Sequence, residues 1–470
     1  MPSLSSEETP LLSEPNGKHG PVYDRFSKER KRVILFLVSC CGLLQLFVAG
    51  TFLPSIPQIA KDLESTGPVV TLAVSGSVLA ASVGALFGAS YSTFYGRRPV
   101  FLVTLPLLCI GSFGTALAAD IPQLMLWRVV QAFGASPGIS VGAGVIGDLY
   151  KLEERGRAMG LFFAAVLLGP SLAPPIGGFA AHYASWRIMQ AILGIFGLVL
   201  FVSVLSFFPE TSLPGARGID KLRLTSTATN ATSRSVVFIN PFKSLWLLRS
   251  PNFMAVCLAG TTVLLSYYVL MVPLAYTIGA KYGISNEAVI GAFFLPQGLG
   301  GMVAGPLAGK MSDKMVIHWK ARRGGVWYPE DRLRAAIPGA LLLVPLSMIF
   351  SGLLIAFVPG KIGLILNLIC LFCNGLGVDM TLGPGTAYGV DIFHDRSAES
   401  MAASAALRSF LISFAVTGIL PIINTLGIVL VHTISALLAW TGCLILLLTI
   451  RYGTQMRAWI DMGYSTADNN

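Results

Sequence analysis

The chain alternates between long apolar runs and short polar interruptions, and the apolar runs have the length that crosses a bilayer. About 20 apolar residues in helical form span the hydrocarbon. Such runs cover approximately 33–53, 69–91, 99–119, 123–146, 158–181 and 187–208. After a polar stretch from Pro209 to Asn252 they resume at approximately 253–276, 288–308, 335–357, 362–385, 402–423 and 427–450. The pattern predicts an all-α membrane protein with twelve transmembrane helices in two sets of six. Residues 1–32 read as a disordered tail. The apolar run that follows is too long for a cleavable signal peptide and lacks a cleavage site. The expected organisation is a tail (1–32), a first bundle (33–208), a central loop (209–252), a second bundle (253–450) and a C-terminal tail (451–470).

The run at 158–181 contains breakers that a soluble helix would not tolerate. Gly169-Pro170-Ser171-Leu172-Ala173-Pro174-Pro175-Ile176-Gly177-Gly178 places three prolines in ten residues. In a membrane, neighbouring helices re-satisfy the backbone groups that proline frees. Proline kinks the helix, and glycine lets a second backbone approach. An uncharged, kinked, close-packed helix reads as a hinge or seal between moving bundles. Ordinary small-residue packing would explain the glycines alone, but not the full spacing.

Charge then orients the chain. Cytoplasmic loops of membrane proteins collect Lys and Arg. With both termini cytoplasmic, Lys61, Arg187, Lys281 and Lys361 fall outside, Arg128 and Arg408 fall within or at the edge of spans, and the rest of the 33 Lys and Arg fall inside. Only 12% of residues are charged and mean hydropathy is +0.71, so lipid is the main solvent and the net charge of +10 is no nucleic-acid signal. All seven cysteines lie in apolar runs, Cys370 and Cys373 included, and read as buried small residues with no metal or disulfide role. The five histidines are scattered, so no enzyme constellation is expected. Gly305 to Met311 looks faintly like a phosphate loop, but the spacing is short and Met311 stands where Ser or Thr is needed. No cofactor is expected.

The two sets of six look like repeats. Ala89-Ser90-Tyr91-Ser92-Thr93-Phe94-Tyr95-Gly96-Arg97-Arg98 follows the second span, and Gly309-Lys310-Met311-Ser312-Asp313-Lys314 follows the eighth. Asp148 and Asp391 close the fourth and tenth spans, followed by Arg155 and Arg396 respectively. Both loop segments resemble the Gly-x-Leu-x-Asp-Arg-x-Gly-Arg-Arg motif of the major facilitator superfamily. The proline-rich decamer resembles the antiporter motif on that family's fifth helix. Leu126 to Gly134 resembles its fourth-helix Arg-x-x-Gln-Gly motif, with Ala132 replacing a glycine. Ser185-Trp186-Arg187, Pro209-Glu210-Thr211 and Tyr328 to Arg334 resemble segments of fungal members, nearest to the twelve-span drug:proton antiporter branch.

The resemblance implies the major facilitator fold, two pseudo-symmetric six-helix bundles, a small-molecule substrate, protons as partner, and a monomer in the plasma membrane. Glu7-Glu8-Thr9-Pro10-Leu11-Leu12 resembles a dileucine sorting signal, which makes a vacuolar or endosomal membrane the alternative. The motif carry-over implies a cytoplasmic gate built from Gly96, Arg97, Arg98, Asp148, Arg155, Gly309, Asp313, Asp391 and Arg396. Here the loop-motif acid is Thr93 and its following Arg is Phe94, so the first-half cluster is expected to shrink to Arg97–Asp148. Asp313 is expected to supply the acid in the second half.

Charges inside a bilayer are expensive and point to function. Arg128 reads as a proton-coupling group or as a partner for a substrate carboxylate, and otherwise as a structural donor to backbone carbonyls. Asp379 is the acid deepest in the spans; it is either a proton carrier or a cap at the cytoplasmic edge of the tenth helix. Gln45, Gln131, Gln297 and Asn374 are candidate cavity groups, with interhelical packing as the alternative for each.

These features predict a secondary active exporter of a small organic compound, drug or secondary metabolite, driven by proton antiport. An exporter of an organic acid anion is the alternative. A sugar-type importer or nutrient sensor is disfavoured by the decamer and by a C-terminal tail of about 20 residues. The orientation yields a test. Asn230-Ala231-Thr232 fits the glycosylation acceptor pattern but falls in the loop placed in the cytoplasm, so mass spectrometry of the protein from its native host should find Asn230 unmodified. A glycan there would invert the topology.

Overall fold

In a computed structural model, the described residues are 25–150, 152–212, 215, 217–220, 222, 237–393, 396–460 and 464. The dileucine match and Asn230 lie outside them. Twelve helices among the described residues are long and apolar enough to cross a membrane. In the first half these are α1 Lys28–Asp62, α2 Gly67–Tyr95, α3 Arg97–Leu117, α4 Ile121–Leu149, α5 Leu152–Tyr183 and α6 Trp186–Phe207. In the second they are α7 Pro251–Gly279, α8 Glu287–Arg322, α9 Pro329–Phe357, α10 Gly360–Ile392, α11 Ser397–Leu426 and α12 Ile428–Trp459. The Asp120 carboxylate accepts from the Gln123 amide to start α4, and the Ser185 hydroxyl accepts from Arg187 to start α6. Gly96, at φ +111°, separates α2 from α3, a backbone turn that residues with a Cβ rarely adopt.

Hydropathy locates the spans but not the helix ends. The segment Gly309 to Lys314, expected as a loop after the eighth helix, lies inside α8, which continues to Arg322. Charged and aromatic side chains end the apolar zone there without ending the helix, since Lys, Met, Ala and Arg are good helix formers. The break comes at Gly324 and Gly325, both at positive φ. Likewise α12 runs on to Trp459, and Ala89 to Tyr95 belong to α2.

The helices form two six-helix bundles. α3 packs on α4 and α6 in the first, and α9 on α10 and α12 in the second. The bundles meet along two seams, α2 with α11 and α5 with α8, which exchange places under the repeat. We call the end carrying Arg25 and Trp459 the terminal face and the opposite end the distal face. Near the distal face one apolar cluster draws on both halves, with Phe52, Leu53 and Trp186 against Leu274, Ile290 and Phe294. Toward the terminal face the core separates into one cluster per half, around Phe101 and Phe162 in the first and Phe253 and Tyr388 in the second. The molecule is sealed at its distal end, while toward the other end the large cores are separate and a small cluster of Leu86, Ala402 and Ala406 joins the halves along α2–α11.

The proline-rich decamer sits in that seal. Pro170, Pro174 and Pro175 lie within the continuous helix α5. A Cβ on Gly178 would overlap the Glu287 carbonyl oxygen and come within 3.0 Å of the Gly291 Cα on α8. A Cβ on Gly291 would stand 2.7 Å from the Pro174 carbonyl oxygen. One turn beyond the decamer, His182 Nδ1 lies 3.0 Å from Glu287 Oε2, and its Nε2 lies 3.1 Å from Asn286 Nδ2. Toward the terminal face of the same two helices, Gly160 and Gly309 have open space where a side chain would stand.

Gly178→Leu should therefore insert normally but pry the distal seal apart. With a cysteine introduced at buried Leu53, an impermeant maleimide added from the distal side should label the Gly178→Leu protein several-fold faster than the Leu53→Cys protein alone. Equal labelling would show that the glycine contact does not hold the seal.

Candidate functional site

Between the halves, beneath the distal seal, lies a cavity of about 340 Å³. Its walls are largely apolar, with Val48, Val74 and Leu167 from the first half and Leu264 and Val378 from the second. Gln45 of α1, Ser77 of α2 and Arg128 of α4 are the polar groups of one wall. Tyr267 and Tyr268 of α7, Gln297 of α8, Asp379 of α10 and Ser409 of α11 face them from the other. Pro170 of the decamer contributes to the lining, so the proline-bearing helix α5 borders the cavity as well as the seal.

Arg128 is 1% exposed. Its Nη1 donates to the Val48 carbonyl at 3.1 Å and to Gln131 Oε1 at 2.7 Å. The guanidinium lies 4.2 Å from the centroid of the Phe52 ring, a cation–π contact. Its Nε has no partner, and no carboxylate stands within ion-pair range among the described residues. Gln131 does not line the cavity. It sits behind Arg128 and donates 2.9 Å hydrogen bonds to Ser112 Oγ and Gln190 Oε1. The charge is thus held by neutral dipoles in a fixed orientation, leaving its attraction for an anion unspent.

Asp379 lies well inside α10, far from either end, which removes the reading as an edge cap. Its Oδ2 rests against Gly301 of α8, where any Cβ would collide with it. No cation pairs with it among the described residues. Beside it, Gln297 Nε2 donates to Asn374 Oδ1 at 3.0 Å, and Asn374 in turn donates to Ser266 and Ser347. Asn374 is fully buried, so it orients Gln297 rather than facing the cavity. Gln45 Oε1 accepts from the Ile139 amide at 3.2 Å, just past Pro137 where α4 is interrupted.

At the terminal face the two halves carry related but unequal charge clusters. Arg97 Nε donates to Asp148 Oδ2 at 2.9 Å and its Nη1 to Ser92 Oγ at 2.9 Å. In the second half, Arg332 donates to Asp391 at 2.5 Å and to Asp313 at 3.0 Å. Arg332 opens α9 as Arg97 opens α3, so laying one repeat over the other would have found it. Glu210, noted in sequence only as part of Pro209-Glu210-Thr211, has a role here: its carboxylate accepts from the Arg97 and Arg98 amides at 2.9 and 3.2 Å, capping α3. Arg98 donates to the Leu205 carbonyl. Two expected gate residues stand apart from the clusters. Arg396 pairs locally with Glu399, three residues on, and Gly309 is an open position within α8. Arg155 lies in the first turn of α5, but its side chain is outside the described positions.

The family model of the Major Facilitator Superfamily matches residues 38–417. The chain belongs to this superfamily. It is 27% identical over 356 residues to the MFS-type transporter clz19 of Cochliobolus lunatus, covering 72% of this chain and 68% of the relative. It is 22% identical to the MFS antiporter QDR3 of Candida albicans, covering 92% of this chain and 79% of the relative. Citrate exporter 1 of Aspergillus niger is 31% identical over 212 residues, 45% of this chain and 40% of that one. The fold resembles the inward-facing bacterial homologue of the lysosomal transporter Spinster, with a TM-score of 0.68 at 14% identity, covering 92% of this chain and 99% of that one. It also resembles the partially occluded inward-open xylose transporter XylE of E. coli, with a TM-score of 0.64 at 15% identity, covering 93% and 99%. The protein is a multi-pass membrane transporter of the superfamily and not an enzyme.

The Arg128 environment is testable by changing Gln131. Gln131→Glu places a carboxylate against the guanidinium and should neutralise its charge, while losing the amide hydrogens that Gln131 donates to Ser112 Oγ and Gln190 Oε1. Thermal melting in detergent should then fall less than for Gln131→Leu, because the Arg128 acceptor is kept, while binding of anionic ligands falls more than tenfold. Gln131→Leu leaves Ser112, Gln190 and Arg128 short of partners and should lower stability by about 2 kcal/mol or more.

Proposed function

We propose that this transporter is a secondary active exporter that moves a small organic compound out of the cytoplasm in exchange for protons. In this reading the terminal face is cytoplasmic, as the Lys and Arg distribution favours. The sealed distal end makes the structure inward-facing. The protein acts as a monomer in the plasma membrane, with 33–208 and 253–450 as the rocking units. The observation that carries the proposal is the unpaired Asp379 carboxylate on the cavity wall, facing a half whose one cavity charge is Arg128. A group in that position can exchange a proton or a cation with whatever enters, and a ligand binding there changes the electrostatic cost of closing the halves. The antiporter-like decamer and the name of the QDR3 relative support exchange over uptake.

A second reading is favoured by Arg128. An orphan guanidinium held by a carbonyl, an amide and an aromatic ring suits a substrate carboxylate, and one relative is named a citrate exporter. An anion could then leave down the membrane potential without proton exchange.

Transport in reconstituted vesicles, with pH gradient and potential imposed separately, divides the two. Under proton antiport, Asp379→Asn should abolish export driven by a pH gradient while substrate counterflow survives. Under anion export, Arg128→Ala should weaken binding and counterflow together, by about 2–5 kcal/mol and hence well over tenfold in affinity. Arg128→Lys should recover little, because an ammonium lacks the planar fork. Wild-type export by both variants under both gradients would remove these residues from the coupling.

A further inference from the structure

Residues 237–250 cross the terminal face between α6 and α7, and Pro241–Arg249 form a 3₁₀ helix. In such a helix residues three apart eclipse one another, so the segment presents three edges. Pro241, Ser244, Leu247 and Ser250 form the buried edge. Lys243, Trp246 and Arg249 form the exposed edge, with the Arg249 guanidinium 4.1 Å from the Trp246 ring centroid.

This strap is pinned across the α2–α11 seam. Ser90 Oγ of α2 donates to the Pro241 carbonyl, and the rings of Phe87 and Phe242 meet edge to face at 6.4 Å. Leu245 packs on Leu86 of α2 and Ala402 of α11. Between the strap and the start of α11 lies a cleft of about 760 Å³, lined by Asn240, Phe242, Lys243, Leu245, Trp246, Arg249 and Arg396. The lining carries three cations and no acid. Glu399 engages Arg396, but neither Lys243 nor Arg249 has a carboxylate within ion-pair range among the described residues.

The position of the cleft selects its ligand. α7 starts at Pro251 and α11 at Ser397, so the strap lies where the spans leave the hydrocarbon, at headgroup level. Tryptophan is enriched at that level. Phe238 is 88% exposed, Trp246 54% and Phe242 48%, an apolar surface that a purely aqueous setting would leave in water. A soluble anion would satisfy the cations and leave those rings wet, whereas a lipid satisfies both.

We propose that this cleft binds the headgroup of an anionic phospholipid, its phosphate held by Lys243 and Arg249 and its interfacial region against Trp246 and Phe242. The bound lipid ties the strap to the α2–α11 seam. The proposal does not depend on which substrate the cavity carries.

The test uses the full-length protein in nanodiscs of phosphatidylcholine mixed equally with phosphatidylserine, with retained lipids identified by native mass spectrometry. Wild type should keep phosphatidylserine in preference to phosphatidylcholine. Lys243→Gln with Arg249→Gln should lower that preference by about tenfold, since each basic group near the surface contributes to the attraction. Lys243→Arg with Arg249→Lys should keep it. Unchanged preference in the double Gln variant, with melting and monodispersity intact, overturns the proposal. So does displacement of the lipid by millimolar inorganic phosphate, which would mark an aqueous anion site. A measurement on wild type alone guards against a variant that fails to fold. A photoreactive phosphatidylserine analogue should crosslink to peptides from 237–250, and labelling confined to other segments overturns the assignment.

Discussion

Gly178 of α5 and Gly291 of α8 bring two helix backbones from opposite halves to within van der Waals contact, and the consequences run through the whole molecule. Lipid offers apolar side chains no incentive to pair, so close backbone approach is what holds membrane helices together. Such a contact is strong when in register and vanishes within a small separation, because dispersion falls steeply with distance. The prolines of the same helix keep α5 from forming a full ladder of backbone hydrogen bonds, which weakens the helix beside the seal.

The cavity follows from the same division. With the distal end closed by an apolar cluster and the terminal end split into two cores, each half exposes its own polar groups to the space between. Arg128 and Asp379 then stand on opposite walls without counter-ions among the described residues. A lone charge in low dielectric is tolerable only if fixed dipoles or a hydrated cavity solvate it. Arg128 has the dipoles: Val48, Gln131 and the Phe52 ring. Asp379 has a glycine opposite it and room to meet what enters.

The spans were legible in the sequence because hydropathy is a local property, and so were the embedded charges, since a lone Arg or Asp in an apolar run needs no partner to be noticed. The decamer was legible as a seal candidate from its breakers alone, although not which helix it met. What the linear chain hides is pairing. Nothing distinguishes Gln190 from other polar residues until Gln131 is seen across from it, and the Pro209-Glu210-Thr211 segment gives Glu210 no role until the amides of α3 point at it. Arg332 stands among other arginines, Arg323 and Arg334, around the start of α9, and laying one repeat over the other is what gives it the role of Arg97. The length of α8 was hidden for another reason: a helix that leaves the hydrocarbon keeps its backbone bonds in water, so the change in hydropathy at Gly309 marks a change of solvent and not of structure.

The two seams, although equivalent under the repeat, are built differently. Along α2–α11 contact persists through the depth of the molecule: Ser75 donates to the Ser413 carbonyl, Ser82 to the Ala406 carbonyl at 3.0 Å, and Leu86 packs on Ala402 near the terminal face. Along α5–α8 the close contacts are distal and give way to open positions at Gly160 and Gly309. Serine-to-carbonyl bonds tolerate a small rotation, because a hydroxyl can turn about its own Cβ–Oγ bond and a carbonyl accepts over a broad range of angles. Backbone stacked on glycine does not. The division between the halves therefore widens from the α2–α11 side toward α5–α8, and the strap lies across the narrow side, where Ser90, Phe87 and Ala402 hold it to both halves.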